Sequence, residues 1–180
     1  AKILEGKPFA LNVQVEAARA YQLRGRIEGP RWYIYAMAGG RKPTGADGKP
    51  IETAKNLIWG WSQLGKYTQK YAFGEDGEKF PQFKATFFEA WLRYAESAYE
   101  LGIHAATSVP DRASYLASAK NNITRMAQLY PEMGGPERRA EYDELLRKVQ
   151  AALKEKVSGL PEAPAKKPTK PAPATTTTAK

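Results

Sequence analysis

The sequence predicts an all-α chain of six amphipathic helices, the last a C-terminal cap, followed by a disordered tail. Three observations carry this. Apolar residues recur at three- and four-residue steps in six successive segments. Glycine and proline, several times as Gly-Gly, fall between those segments, where helices stop and start. After Val157 the composition turns to Pro, Ala, Lys and Thr, which offers too little apolar surface to offset the entropy of ordering a backbone.

The first helix is expected from Leu11 to Arg24. Leu11, Val15 and Ala18 form one stripe, and Val13, Ala17, Ala20 and Tyr21 form an adjoining one. So wide an apolar arc predicts packing on more than one side, with Gly25 ending the helix. Pro30 suits the first turn of a second, short and aromatic helix through Trp32, Tyr33, Ile34, Tyr35, Ala36 and Met37, closed by Gly39-Gly40. A strand competes for that run; helical neighbours and helix-like termini favour helix. Arg41 to Pro50 reads as a turn-rich loop. A third helix is expected from Ile51 to Phe73, with Ala54, Leu57, Ile58, Trp61, Leu64 and Gly65 as its stripe. A polar loop, Gly74 to Lys79, then leads to Pro81 and a fourth helix with Phe83, Phe87, Trp91, Ala95, Ala98 and Gly102 on one face.

The fifth helix begins after Pro110, with Asp111 near its N-terminus and Leu116, Ala119, Ile123, Met126 and Tyr130 facing inward. Gly134-Gly135 stop it. Pro136 and Glu137 open the sixth, whose apolar face is Tyr142, Leu145, Leu146, Val149 and Leu153 and whose other faces are charged. A one-sided last helix is what a stack needs to shield its open end. The division expected is a repeat domain over 1–157 and a tail over 158–180.

Of the 180 residues, 42% are hydrophobic and 11% aromatic, a composition that suits an ordered protein. Lys and Arg total 28 against 19 Asp and Glu, a formal charge of +9. Four tail lysines against Glu162 put a net three of those charges in the tail. The balance favours anionic partners. There is no cysteine, so disulfides, thiolate chemistry and Cys-based zinc sites are excluded, and the compartment stays open. No apolar run approaches the roughly 18–20 residues of a membrane span.

Three helix pairs in sequence prompt a search for an internal period, and several segments share one pattern. Ala17-Ala18, Tyr21 and Gly25 give a small pair, an aromatic and a turning glycine, followed by Pro43, which lies 35 residues after Pro8. Trp61-Ser62-Gln63-Leu64-Gly65 follows the W-x2-L-G order, with the next aromatic, Tyr67, one residue early. Trp91, Ala95 and Gly102, then Ala119-x3-Ile123 and Pro131, repeat the order with an insertion around His104–Pro110. The chain thus resembles a degenerate array of tetratricopeptide repeats, units of about 34 residues, over residues 1–155, and the resemblance implies a right-handed αα-solenoid of antiparallel helix pairs. Ile3, Leu4 and Pro8 look like the end of an earlier repeat. With Ala1 rather than methionine first, the chain is expected to be the C-terminal portion of a longer array, similar to large bacterial members of that class.

The resemblance implies a non-catalytic scaffold that binds a protein or peptide along a concave face lined by the first helix of each pair. By position, the groove-facing residues of the first helix are Asn12, Val15, Arg19, Gln22 and Leu23, and those of the third are Trp59, Ser62, Lys66, Gln69 and Lys70. Arg19, Lys66 and Lys70 would make the groove basic, suited to an acidic peptide or a C-terminal carboxylate. The Lys and Asn pair of the two-carboxylate clamp in chaperone-binding members is replaced by Val15 and Arg19, so that clamp is not expected.

No constellation points to catalysis, a cofactor or a metal. His104, the only histidine, has no Cys or second His as partner. Gly45 to Pro50 lacks the flanking glycine and the Ser/Thr of a phosphate loop. Glu75-Asp76-Gly77-Glu78 is too short for a calcium loop. The sequon Asn122-Ile123-Thr124 falls within a helix. Glu89, Glu96 and Glu100 lie near Trp91 and Tyr99. Glu96 and Glu100 share a face, which supports an alternative: a module that binds or processes carbohydrate or cell-wall polymer. The rings Trp32, Tyr33, Tyr35, Trp59, Trp61, Tyr67 and Tyr71, with Arg31, Arg41, Lys66 and Lys70, would suit nucleic acid only if they were exposed; core packing accounts for most of them.

Overall fold

A computed structural model describes residues 10–43, 46–52, 54–74 and 80–162. Among them the chain is all-helical: α1 (Leu11–Glu28), α2 (Arg31–Ala38), α3 (Trp61–Ala72), α4 (Pro81–Ile103), α5 (Val109–Leu129) and α6 (Pro136–Ala152). Gly40 and Ile58 form an isolated antiparallel β-bridge.

Consecutive helices pack on one another, and α4 is the hub. It touches α2, α3, α5 and α6, and side chains from α1 reach it as well. Its sequence explains this position. Phe87, Phe88, Ala90, Leu92, Ala95, Ala98 and Leu101 are all buried and point around most of the helix circumference. So wide an apolar arc belongs in an interior, and the remaining face carries Glu89 and Glu96 toward α1. One core cluster joins Val15, Ala18, Ala36, Trp61 and Leu64 to Ala90 of α4. A larger one joins Phe87, Phe88, Leu92 and Ala98 to Ile123, Met126, Tyr142 and Val149. Tyr142, fully buried, donates its hydroxyl to the Phe88 carbonyl at 2.8 Å, and burial pushes that phenol far above its ordinary pKa.

Helix glycines set the spacing. A Cβ on Gly25 would lie 2.6 Å from the Tyr33 ring, one on Gly65 2.7 Å from the Trp91 indole, and one on Gly102 2.7 Å from Leu116 Cγ. Each marks a place where two neighbouring helices approach too closely for a side chain. Gly25 therefore does not end α1, as its sequence position suggests. The helix runs on to Glu28, and Gly29, at φ 120°, breaks it. As its two stripes predict, α1 packs on more than one neighbour: Val15 and Ala18 are buried in the core, Val13, Ala17 and Tyr21 of the second arc are half-buried, with Tyr21 against Trp32 and Tyr35 of α2, and only Ala20 is exposed.

The third helix begins ten residues later than its stripe predicts. Residues before Trp61 instead run beside the end of α2. Gly40 and Ile58 exchange backbone hydrogen bonds at 3.0 and 3.2 Å, and the Leu57 N–H donates to the Arg41 carbonyl at 2.8 Å. Buried Gln14 of α1 completes the arrangement. Its amide donates to the Leu57 carbonyl at 3.0 Å and accepts the Trp59 N–H at 2.8 Å. These bonds take the donors and acceptors a helix would need. Gly60 admits the crossing, since a Cβ there would sit 2.6 Å from the Met37 carbonyl carbon.

The other helix starts follow the sequence closely, but α5 (Val109–Leu129) ends at Leu129, where the Tyr130 N–H caps the Met126 carbonyl, and not at Gly134-Gly135. α5 starts at Val109, with Ser108 as its cap: the Ser108 hydroxyl donates to the Asp111 carboxylate at 2.5 Å and faces the Asp111 N–H at 3.4 Å. Beyond α6 the chain does not leave the protein at Ser158. Gln150 accepts the N–H groups of Ser158 and Gly159, both at 3.0 Å, Asp143 accepts that of Leu160 at 2.5 Å, and Leu160 packs on the core. Residues 163–180 of the expected tail lie outside the described residues.

Gly102→Ala tests the close approach of α4 and α5. Alanine favours a helix interior by about 1 kcal/mol over glycine, yet overpacking against Leu116 is expected to lower stability by about 1–3 kcal/mol. Urea unfolding followed by circular dichroism measures the sign; a variant as stable as the parent would contradict the packing argument.

Candidate functional site

α3 and α5 flank α4 and enclose with it a cavity of about 750 Å³. Each helix offers one stripe. Ser62, Lys66 and Gln69 come from α3, at steps of four and three residues; Phe87, Trp91 and Tyr94 form the floor from α4 at the same steps. From α5 come Ser118, Asn121, Asn122 and Arg125. Trp91 can lie flat along α3 because Gly65 has no side chain, and Tyr94 meets the indole edge-on at 5.8 Å between centroids. At one end Gln69 Nε2 donates to the Tyr130 hydroxyl at 3.1 Å, joining the two walls.

The lining is amphipathic and one-signed. Aromatic rings form the base, amides and hydroxyls the sides, and Lys66 and Arg125 are the ionised groups; no carboxylate lines it among the described residues. The Asn122 Oδ1 atom is buried there without a hydrogen-bond donor.

The structure distributes the residues expected to line a groove. Ser62, Lys66 and Gln69 are brought together in the cavity. Lys70 is exposed outside it, its Nζ 5.8 Å from the Tyr71 ring centroid. Trp59 precedes α3 and rests on Tyr67, 4.9 Å between centroids. The residues of α1 are elsewhere. Asn12 is exposed in its first turn and Val15 is in the core. Arg19 donates to Glu89 of α4 at 2.5 Å and to Glu16 at 2.6 Å. Gln22, nearly buried, donates to Glu96 at 2.7 Å. Arg19 and Gln22 therefore tie α1 to α4. The α5 wall was not anticipated: Ser114, Ser118, Asn121 and Arg125 read in the sequence as an ordinary wet face, opposite the apolar stripe of Leu116, Ala119, Ile123 and Met126.

Glu96, considered as a hydrolytic carboxylate, is saturated with donors. Arg93 and Gln22 reach it at 2.7 Å each and Arg26 at 3.1 Å. Burial by itself would raise its pKa, but the hydrogen bonds from Arg93 and Gln22, with Arg26 close by, outweigh it and hold the carboxyl below the ordinary glutamate range. A general acid of glycoside hydrolysis needs the opposite shift. His104 accepts the Ala106 N–H at 3.1 Å through Nδ1 and closes a local turn. No group of three or more His, Cys, Asp or Glu is placed to hold a metal among the described residues, and no helix among them is long and apolar enough to cross a membrane. Of the aromatic set, Tyr33 and Trp61 are buried, and Trp59, Tyr67 and Tyr71 lean on one another at centroid distances of 4.9 and 5.2 Å. The acidic run 75–78 lies outside the described residues.

No family model, curated protein or solved structure matches the chain.

The Glu96 contacts carry a pH prediction. A depressed folded-state pKa makes the carboxylate's stabilisation complete above the unfolded-state value, and it is lost as pH falls through the folded one. Glu96→Gln is expected to cost about 1–2 kcal/mol at neutral pH. The gap to the parent should close as pH drops below about 4.5. Denaturant titrations at neutral and acid pH measure it; a gap independent of pH would rule the ion pairs out as its source.

Proposed function

We propose that this protein is a non-catalytic interaction module that binds an extended, acidic peptide segment in the groove between α3 and α5. The observation that carries the reading is the lining itself, which has two cations, no carboxylate among the described residues, an amide pair and an aromatic floor. Each part suits a different part of a peptide. Trp91 and Phe87 take an apolar side chain, and Lys66 and Arg125 take carboxylates. The exposed Asn121 amide can pair with main-chain groups. Small clefts with an apolar base and a few convergent polar groups are the usual form of a binding site.

The same reading takes the helices as a degenerate tetratricopeptide-like array, paired α1/α2, α3/α4 and α5/α6 and wound as a right-handed solenoid. Packing of α1 on α3, of α2 on α4 and of α4 on α6 supports a stack of pairs. The glycines at the helix crossings support it as well, because close backbone approach through small residues is the steric basis of such arrays. The groove is then the interval between the first helices of the second and third pairs. A sugar ring would also stack on Trp91, so a polymer-binding role is the second reading, without hydrolysis at Glu96.

Binding is tested with fluorescently labelled acidic peptides and neutral peptides of the same length, followed by anisotropy. Acidic peptides are expected to bind more tightly. Lys66→Glu with Arg125→Glu should weaken them by about 30-fold, roughly 2 kcal/mol, whereas Lys70→Glu should leave affinity unchanged. Equal affinity for neutral peptides, or indifference to the double substitution, would overturn the reading.

A further inference from the structure

The groove does not stop at the contact between Gln69 and Tyr130. On each of its three helices the lining stripe continues into a second cavity of about 900 Å³, at the start of α6. On α3 the stripe Ser62, Lys66, Gln69 is followed by Phe73, the residue that closes the helix. On α4 the stripe Tyr94, Trp91, Phe87 is followed by Lys84 and Pro81. On α5 Ser118, Asn121 and Arg125 lead to Leu129, which borders both cavities, as Tyr130 does. Steps of three and four residues keep side chains on one helix face, so the two hollows are consecutive stretches of one track. Leu129 stands between them and, although apolar, is 57% exposed.

The second stretch differs in chemistry from the first. Phe73 stacks on Tyr130 at 4.6 Å between centroids, and Phe88 meets Tyr130 edge-on at 5.8 Å. Phe73 is nevertheless 43% exposed. The charges around these rings are matched. Arg138 pairs with Glu141 at 2.5 Å, the Arg139 guanidinium donates to the carbonyls of Pro131 and Pro161, and Glu132 is engaged as well. Lys84 and Glu137 add one charge of each sign. Ringed by aromatics and without surplus charge, this stretch suits a bulky apolar side chain, whereas the groove, with Lys66 and Arg125, suits carboxylates.

We propose that the two cavities are subsites of a single docking track, whose partner is an extended peptide with acidic residues in the groove and one bulky aromatic residue in the cavity at the start of α6. This rests on the peptide reading of the groove and adds a second determinant and its spacing. Phe73 lies seven residues beyond Lys66, which at 1.5 Å per helical residue is roughly 10 Å along the track. An extended chain advances about 3.3 Å per residue. The aromatic residue therefore falls about three positions from the carboxylates.

The test uses the full chain and fluorescein-labelled peptides of one length, with Kd read by anisotropy. The set comprises an acidic peptide, a neutral one, and two acidic ones carrying tryptophan, either about three positions from the nearest carboxylate or directly beside it. At the longer spacing tryptophan is expected to tighten binding about tenfold over the acidic peptide without it, as a well-seated aromatic anchor does; directly beside the carboxylate it should add little. The gain should fall to about onefold in Ala85→Trp, which fills the cavity from an exposed position, and in Phe73→Ser, which removes the stacked ring. No gain, a gain that ignores the spacing, or a gain that survives Ala85→Trp would overturn the proposal and leave the acidic preference of the groove standing. Equal affinity of the acidic and neutral peptides that lack tryptophan would overturn the groove reading, and the track with it.

Discussion

The contact between Gly65 and Trp91 is the constraint on which the candidate site rests. With no side chain on Gly65, the indole of Trp91 lies directly along α3, and a Cβ would come within 2.7 Å of it. That approach sets the depth of the groove floor and brings Ser62, Lys66 and Gln69 alongside the rings of α4. Gly25 under Tyr33 and Gly102 under Leu116 do the same for the neighbouring helix pairs. Dense packing makes these positions unforgiving, because a well-packed interior has no spare volume to absorb a methyl group.

Charge is segregated around α4. Glu89 and Glu96 turn toward α1, where Arg19, Arg26 and Gln22 meet them. The opposite side of α4 presents Phe87, Trp91 and Tyr94 to a cavity whose ionised lining is Lys66 and Arg125. One helix therefore serves as an ionic anchor on one face and as an apolar floor on another. The arginines of α1 are used for structure, and the cations available to an acidic ligand are those of α3 and α5. Tyr130 links this groove to the cavity at α6: its hydroxyl accepts from Gln69 on one side and its ring stacks on Phe73 on the other.

Much of the fold was legible in the residues, but unevenly. The 4-3 rhythm of Phe83, Phe87, Trp91, Ala95, Ala98 and Gly102 located α4, and Pro136 after two glycines located α6, because periodicity and terminal residues act locally. The stripe from Ala54 to Ile58 misled. Those residues do face apolar surroundings in part, Leu57 being buried, but as an extended segment whose donors and acceptors are taken by Gly40, Arg41 and Gln14. A periodicity of side chains does not reveal where backbone hydrogen bonds go. Gly25 misled for a related reason, since a glycine that admits an aromatic ring and a glycine that ends a helix look alike in sequence. Of the groove, the α3 side was legible through Ser62, Lys66 and Gln69. The α5 side was not, because serines and asparagines on a helix face signal water equally well.

By itself, the sequence determined that the chain is helical, where most helices lie, that thiol chemistry is absent and that the charge is positive. All of these depend on residue identity and on neighbours within a turn or two. Only the tertiary structure decided that Arg19 and Gln22 bind α4 while Lys66 joins Arg125 across a cavity, and that Ser158 to Pro161 fold back along α6. Those outcomes depend on which helix faces which. That is set by how closely backbones can approach, summed over contacts far apart in the chain.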